Sequence, residues 1–332
     1  MLKRSIKIVL YTLLVLIIVG GVLSYRKKPT TITYGVSFSK FHADELKLPW
    51  AIVFEALVSE MQVKHWRLSA HWPMVESTKG VFSFNELDYQ LRRVKEEHGD
   101  VVLAVGRRLP GWPECHVPEW AKGLSWEDQK KEILTYLTKV VERYKDHSEV
   151  LYWQVENEPY LTVFAHDYCG DLDKDFLKEE VALVKRLDPS RKVLVTDSGN
   201  LGLWSGAWST GDIFGTSMYL YLWNPNFGQV KTIYQPFVYR IKNNMMSLLF
   251  GKRESLLIEL SLEPWLVHPI TETPLSVQKE RMTPTMFDEA VAFAKDTRFE
   301  KQYLWGAEWW FYMKQQGDGT YWEKAKAIFA PK

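Results

Sequence analysis

Two stretches of the chain place a glutamate within three residues of the end of an apolar, β-branched run. Glu158 follows the run LYWQV and stands within an Asn157-Glu158-Pro159 turn, and Glu259 follows the run SLLI. Two carboxylates that face each other across a cleft can cleave a glycosidic bond, because one protonates the leaving oxygen while the other attacks or stabilises the anomeric carbon. This chemistry requires a fold that brings two distant strand ends together.

The spacing of apolar residues predicts an alternation of strands and helices that could do this. Eight short apolar runs are predicted as strands at 31–38, 63–70, 101–106, 151–156, 192–197, 212–219, 255–260 and 302–309. Helical periodicity and capping residues predict helices at 85–99, 125–147 and 173–190, with further ones near 50–62, 231–250, 284–296 and 321–329. Eight alternations favour a (β/α)₈ TIM barrel in the α/β class. A doubly wound sheet is disfavoured because GVSFSKFHADEL, after the first strand, is not a glycine-rich phosphate loop.

In such a barrel, functional side chains lie at the carboxyl ends of the strands. Arg67 lies on the second predicted strand, Tyr219 and Tyr221 lie at the end of the sixth, and Glu308, Trp309 and Trp310 end the eighth. Tyr219 and Tyr221 are two residues apart and would point the same way on a strand, so the sequence does not choose between them. The polar residues are expected to converge on one site with the two glutamates.

The combination of these residues resembles the clan A glycoside hydrolases, retaining β-glycosidases that include the cellulase-like family 5 and family 39. The stretch HWPMVESTKGVFSFNELD is similar to the segment after their second strand, although Ser77 stands where many members have proline. The resemblance spans Thr31 to about Trp310 and implies a (β/α)₈ barrel.

The resemblance also implies roles for individual residues. Glu158 would be the general acid/base and Glu259 the nucleophile of a double displacement, while Asn157 would bond the sugar 2-hydroxyl. Arg67 and a tyrosine from the sixth strand would keep Glu259 ionised, and the burial and negative surroundings of Glu158 would keep it protonated. Trp309 would be the family's sugar-platform tryptophan, or Trp305 if the eighth strand ends earlier.

Each of these assignments has an alternative. Glu263, in ELSLEPW, competes with Glu259 for the nucleophile, and Glu156 is either a carboxylate that supports Glu158 or a solvated one. Arg67 could instead be a structural ion-pair partner.

A proline-rich loop, RRLPGWPECHVPEW, follows the third predicted strand. Its Trp112 and His116 could shape sugar subsites, and a packing role for the histidine is the alternative. Cys115 in this loop and Cys169 after the fourth strand would lie at the same barrel face, so they could form a disulfide, or remain two free thiols.

The composition and motifs indicate which classes of binding partner to expect. The formal charge is +1 without a basic stripe, which argues against nucleic acid, and neither metal-ligand spacing nor a cofactor motif is found. An oligo- or polysaccharide is the expected partner. The alternatives to a hydrolase are a transglycosylase on the same site, a non-catalytic glycan-binding barrel, and Schiff-base or metal chemistry.

The N-terminus is predicted to be a separate segment. Residues 8–23 are apolar and flanked by basic residues, a pattern that favours an uncleaved transmembrane signal-anchor over a cleaved signal peptide. The expected organisation is therefore a membrane anchor or signal at 1–28 and a catalytic domain at 29–332. This organisation predicts contact with a lipid bilayer and an extracytoplasmic, membrane-anchored domain that acts on an extracytoplasmic glycan, with cleavage and secretion as the alternative.

Overall fold

A computed structural model describes residues 20–112, 114–163, 166–224 and 226–330. The strands in this part of the chain are β1 (Thr33–Ser37), β2 (His65–Ser69), β3 (Asp100–Val105), β4 (Val150–Val155), β5 (Val193–Asp197), β6 (Ile213–Met218), β7 (Tyr221–Asn224), β8 (Gly228–Lys231), β9 (Ser255–Ser261) and β10 (Lys301–Trp305). All of them except β7 and β8 pair in parallel and form a closed barrel in chain order, in which β10 returns to β1. The predicted (β/α)₈ barrel is confirmed.

Helices follow the barrel strands. Those described are α1 (Lys40–Glu45), α2 (Trp50–Ser59), α3 (Trp72–Val75), α4 (Asn85–Glu96), α5 (Trp126–Tyr144), α6 (His166–Cys169), α7 (Lys174–Leu187), α8 (Ser205–Thr210), α9 (Pro236–Phe250), α10 (Leu275–Arg281), α11 (Pro284–Thr297), α12 (Ala307–Gln315) and α13 (Thr320–Phe329). Short 3₁₀ segments lie at Glu119–Ala121 and Ile270–Glu272.

Local sequence explains where the longer helices begin and end. Ser125 caps α5 by accepting a hydrogen bond from the backbone N–H of Asp128, and Asp173 caps α7 by accepting one from Phe176. α7 ends before Pro189, which could not continue the helix. These signals are local, so the sequence predicted them well.

The barrel interior is filled by apolar side chains from six strands. This cluster comprises Val102, Tyr152, Leu194, Ile213, Leu256, Ile258 and Tyr303. Alternate residues of a strand share a face, so Gln154, Thr196 and Trp305, each two positions after a member of the cluster, also point toward the barrel axis. They lie nearer the carboxyl end, where the apolar filling gives way to polar side chains.

The eighth barrel strand is shorter than predicted. β10 ends at Trp305, Gly306 has a φ of 118°, and α12 begins at Ala307. Glu308, Trp309 and Trp310 are therefore buried helical residues rather than the end of a strand. A continuous apolar run does not by itself distinguish a buried strand from a buried helix.

The β7–β8 hairpin and the shorter helices were not predicted. The hairpin is antiparallel, pairs Tyr221 with Lys231, and lies outside the barrel. It lies between β6 and α9, in a stretch for which the sequence predicted neither a strand nor a helix.

The predicted N-terminal membrane anchor requires a correction. Most of the apolar segment, up to residue 19, lies outside the described residues. Among the residues that the structure does describe, no helix is both long enough and apolar enough to cross a bilayer. This finding overturns the predicted membrane-anchored localisation, while the domain boundary at residue 28 stays a prediction.

Candidate active site

The two candidate glutamates lie at the carboxyl end of the barrel and are both 6% exposed. Glu259 belongs to β9, and Glu158 lies in the turn after β4 with a left-handed φ of 45°. Backbone hydrogen bonds hold this strained turn: Asn157 N–H donates to the carbonyl of Arg108 (2.7 Å), and Glu158 N–H donates to Oγ1 of Thr196 (2.7 Å). The neighbouring strands β3 and β5 thus fix the position of Glu158.

Arg67 connects the two glutamate-bearing strands. Its guanidinium is buried and donates to Oε2 of Glu259 (2.6 Å), to Oδ1 of Asn157 (2.6 Å) and to Oε1 of Gln154 (2.9 Å). The planar fork of arginine suits such a set of acceptors, and a lysine could not reproduce it. Arg67 is therefore both an ion-pair partner and a member of the site.

Tyr219 and Tyr221, which the sequence could not separate, have different partners. The hydroxyl of Tyr219 donates to Oε1 of Glu259, the oxygen that Arg67 leaves free. Tyr221 begins the hairpin and donates to Glu289 on α11. The prediction of Tyr221 as a site residue is thus corrected, because the strand ends at Met218 and the two tyrosines do not share a strand face.

The surroundings of Glu158 favour its neutral form. Burial, followed by the negative charges of Glu259 and Glu114, raises the pKa of Glu158 to about 8. A hydrogen bond from the hydroxyl of Ser217 acts in the opposite direction, and Oε1 of Glu158 has no hydrogen-bond partner within the part of the chain described. A carboxylic acid that keeps its proton at neutral pH can serve as a general acid.

Glu114 is a third carboxylate of this site, and the sequence reasoning missed it. It has a left-handed φ of 68°, and its Oε2 accepts a hydrogen bond from Nε of Arg108 (2.7 Å). Burial raises the pKa of Glu114, and its charge acts on Glu158. No motif marks it, because its position depends on the folding of a long loop.

Glu156 binds the backbone of the loop after β3, beside the turn that carries Glu158. Its carboxylate accepts the backbone N–H groups of Arg107 (2.8 Å) and Arg108 (2.6 Å) and faces the buried Glu180. A Cβ on Gly106, which has a φ of 127°, would lie 2.5 Å from Oε1 of Glu156. Of the two predicted readings of Glu156, the structure favours a supporting carboxylate over a solvated one.

A disulfide joins the loops after β3 and β4. Cys115 and Cys169 are bonded, with their Cα atoms 5.4 Å apart. Trp112, on the same loop as Cys115, is 53% exposed and packs edge-on against Tyr168, with 5.1 Å between ring centroids. The bridge therefore fixes an exposed aromatic pair at the rim of the barrel mouth.

His116 is a packing residue. Its Nε2 lies 3.2 Å from the carbonyl of Leu109 and 3.1 Å from that of Gly111, and its ring packs edge-on against Phe41 and His71. Burial lowers its pKa to about 4. The substrate-binding prediction for His116 is corrected, because its ring nitrogen serves the loop's own backbone.

Trp309 also lies away from the site. Its side chain is fully buried, donates to Oε1 of Gln278 (2.8 Å) and packs against Tyr321. Trp305, the alternative platform, ends β10 instead and donates to Oε1 of Glu263 (2.7 Å). Of the two predicted candidates for the nucleophile, Glu259 is therefore the one that Arg67 contacts, whereas Glu263 accepts a hydrogen bond from Trp305.

The described residues contain no group of three or more histidine, cysteine or acidic side chains that could hold a metal ion.

Comparisons with known proteins match part of this chain to glycoside hydrolases. Residues 123–210, which include Glu158, match the glycoside hydrolase 42 family of beta-galactosidases. Beta-galactosidase LacA of Lactobacillus acidophilus is 22% identical over 152 residues, covering 40% of this chain and only 21% of that relative.

Solved structures show the same fold. GH5_18 from Bifidobacterium longum superposes with a TM-score of 0.58 at 12% identity, over 83% of this chain and 69% of that one. A second structure, of a variant of the same Bifidobacterium longum protein in complex with Manβ1-4GlcNAc, superposes with a TM-score of 0.57 at 13% identity. This match covers 82% of the present chain and 68% of the other. The matches support a clan A (β/α)₈ glycoside hydrolase. The resemblance predicted from the two glutamates and Arg67 to clan A glycoside hydrolases is thereby confirmed.

Proposed function

We propose that this clan A barrel is a retaining β-glycosidase that hydrolyses O-glycosidic bonds by double displacement. The observation that carries the proposal is the contrast between its two buried carboxyl groups: Glu259 accepts hydrogen bonds from Arg67 and Tyr219, whereas Glu158 has a pKa raised to about 8. Glu259 is thus paired with a guanidinium while Glu158 keeps its proton, the contrast between nucleophile and acid that glycoside hydrolysis by this route requires.

In the first step, Glu158 transfers its proton to the glycosidic oxygen while Glu259 attacks the anomeric carbon. The bond to the leaving group breaks, and a covalent glycosyl ester forms on Glu259. In the second step, Glu158, now a carboxylate, takes a proton from water as the water attacks the anomeric carbon and releases Glu259. Asn157, which Arg67 orients, bonds the sugar 2-hydroxyl.

Trp305 is proposed as the sugar platform. It points toward the barrel axis and lies beside β9, which carries Glu259. An indole ring offers a flat apolar face to the C–H groups of a pyranose, while the sugar hydroxyls remain available to the polar side chains around it.

β-Galactosides and β-mannosides are the first substrates to test. The family match and LacA carry the name beta-galactosidase, and a neighbour of the same fold holds Manβ1-4GlcNAc. A panel of 4-nitrophenyl β-galactoside, β-mannoside, β-glucoside, β-xyloside and β-N-acetylglucosaminide covers these sugars and their closest stereochemical alternatives.

The test combines two variants with product stereochemistry. Glu158→Gln and Glu259→Gln should each lose about 10²–10⁴-fold in kcat while keeping the wild-type circular dichroism spectrum and melting temperature within a few degrees. Proton NMR should show a β-anomer as the first product of the best substrate. Variants with near-wild-type turnover would overturn the assignment of the two glutamates, and an α-anomer formed first would overturn the double displacement.

A further inference from the structure

Two residues, Glu263 and His42, contact the side chain of the proposed platform residue, Trp305. Glu263 follows β9, His42 lies on α1 after β1, and Trp305 ends β10. Oε1 of Glu263 accepts the indole N–H of Trp305 at 2.7 Å, and Oε2 of Glu263 lies 3.0 Å from Nε2 of His42. We refer to these three residues as the Trp305 clamp.

The ring of His42 packs against one face of the indole. It stacks on Trp305 with 5.5 Å between ring centroids and an angle of 22° between the planes. Trp305 is therefore restrained in two ways: by a hydrogen bond in the plane of its ring and by a ring packed against its face. Its exposed fraction is only 6%.

The pair formed by Glu263 and His42 is charge-assisted. Burial alone would lower the pKa of His42, but the carboxylates of Glu263, Glu45 and Glu308 raise it well above its usual value. The imidazolium can then donate to Glu263 through Nε2, while its Nδ1 lies 3.2 Å from Oε2 of Glu45. Hydrogen bonds between charged groups are shorter and stronger than neutral ones, so Glu263 has little freedom to turn away from Trp305.

The backbone next to Trp305 is shaped around Glu263. Gly306 has a φ of 118°, and a Cβ at this position would lie 2.9 Å from Cβ of Glu263. A side chain here would both strain the backbone and displace Glu263.

We propose that Glu263 is a positioning residue that fixes the orientation of the Trp305 indole for the sugar bound beside Glu259. This inference rests on the proposed glycosidase function and deepens it. Both oxygens of Glu263 are occupied by the clamp, so the residue acts on the substrate only through Trp305. Loss of the indole hydrogen bond would leave the ring in place but free to tilt, which weakens its contact with the sugar.

A double-mutant cycle tests this role on the aryl β-glycoside that the wild type cleaves best. Glu263→Ala should raise KM about 2- to 10-fold, the value of one hydrogen bond, whereas Glu263→Gln retains an acceptor for the indole and should stay within about 2-fold of wild type. Trp305→Phe keeps an aromatic face but has no N–H, so adding Glu263→Ala to it should change KM by less than about 2-fold.

Two further variants complete the experiment. Glu45→Gln alters the other side of His42 without touching Glu263 or Trp305 and should leave KM unchanged. If Glu263→Ala does not fold, His42→Gln provides the second test, because it removes the imidazolium that pairs with Oε2 of Glu263. It should raise KM in the wild-type background but not in the Trp305→Phe background.

The outcomes separate the two proposals. Additive effects of Glu263→Ala and Trp305→Phe, equal KM values for Glu263→Ala and Glu263→Gln, or a lower melting temperature with unchanged KM would each overturn the positioning role. Turnover retained by Glu158→Gln and Glu259→Gln, assayed in parallel, would instead overturn the proposed function, whatever the cycle shows.

Discussion

Glu158 and Glu259 are equally buried, yet only Glu259 is contacted by a guanidinium. Arg67 and Tyr219 each donate to one of its oxygens, while Glu158 receives a hydroxyl from Ser217 and faces further negative charge from Glu114. Burying a carboxylate without a cation favours its protonated form. The two roles proposed for these chemically identical side chains therefore depend on which strand ends carry donors.

The pH dependence of kcat/KM should report the proton on Glu158. Because Glu158 must be protonated to assist departure of the leaving group, kcat/KM should fall as pH rises through about 8. Glu114→Gln removes a negative charge that raises this pKa, so the alkaline limb should move to lower pH. Ser217→Ala removes a hydrogen bond that lowers it, so the limb should move to higher pH.

These two variants serve as mutual controls, since they alter neighbours of Glu158 in opposite senses. The measurement is the initial rate at low substrate concentration between pH 5 and 10, with the circular dichroism spectrum recorded across the range. Shifts in the same direction, or an alkaline limb unmoved by both changes, would show that another group controls the rate.

At the scale of elements, local patterns predicted most of the scaffold. Each barrel strand was recognised from its apolar run, and α5 was placed by Ser125 as its cap. The errors occurred where the outcome depends on long-range packing: in WGAEW the chain turns at Gly306 into α12, and after Met218 it turns into a hairpin that carries Tyr221 away from the site. A glycine marks each turn, Gly306 and Gly228, but a glycine does not show which element follows it.

The sequence predicted part of the candidate site, as it did for the scaffold. Glu158, Glu259 and Arg67 follow from strand ends and a motif, and the structure brings them together. Glu114 could not be predicted, because it comes from an irregular loop whose course depends on packing and on the disulfide. The contacts of Glu263 and His42 with Trp305 could not be predicted either, because they join parts of the chain that are distant in sequence.

The disulfide between the β3 and β4 loops should stabilise the fold. Cys115 and Cys169 are separated by 54 residues, and closing a loop of this length restricts the unfolded chain by roughly 4 kcal/mol in the entropic treatment. Cys115→Ser combined with Cys169→Ser should lower the melting temperature by several degrees. Dithiothreitol should lower that of the wild type similarly and leave the double variant unchanged; a wild-type transition insensitive to reduction would contradict this prediction.

At the scale of the whole molecule, the site exists only because the sheet closes. Arg67 comes from β2, Glu158 follows β4, Tyr219 follows β6 and Glu259 lies on β9, so the contacts among them cross the barrel mouth. The region matching the beta-galactosidase family, 123–210, contains only Glu158 of these four. The local similarity is therefore confined to part of a site that needs the rest of the chain.

Residues 123–210 produced alone should consequently neither fold nor cleave glycosides. In the whole chain β4 pairs with β3 and β5 pairs with β6, so the fragment would expose two unpaired strand edges together with buried apolar residues. Thermal scans followed by circular dichroism should show a cooperative transition for the full chain and none for the fragment. Full-length Glu158→Gln, which should fold but lose most turnover, is the control for activity loss alone. A cooperative transition together with turnover from the fragment would show that Arg67 and Glu259 are dispensable.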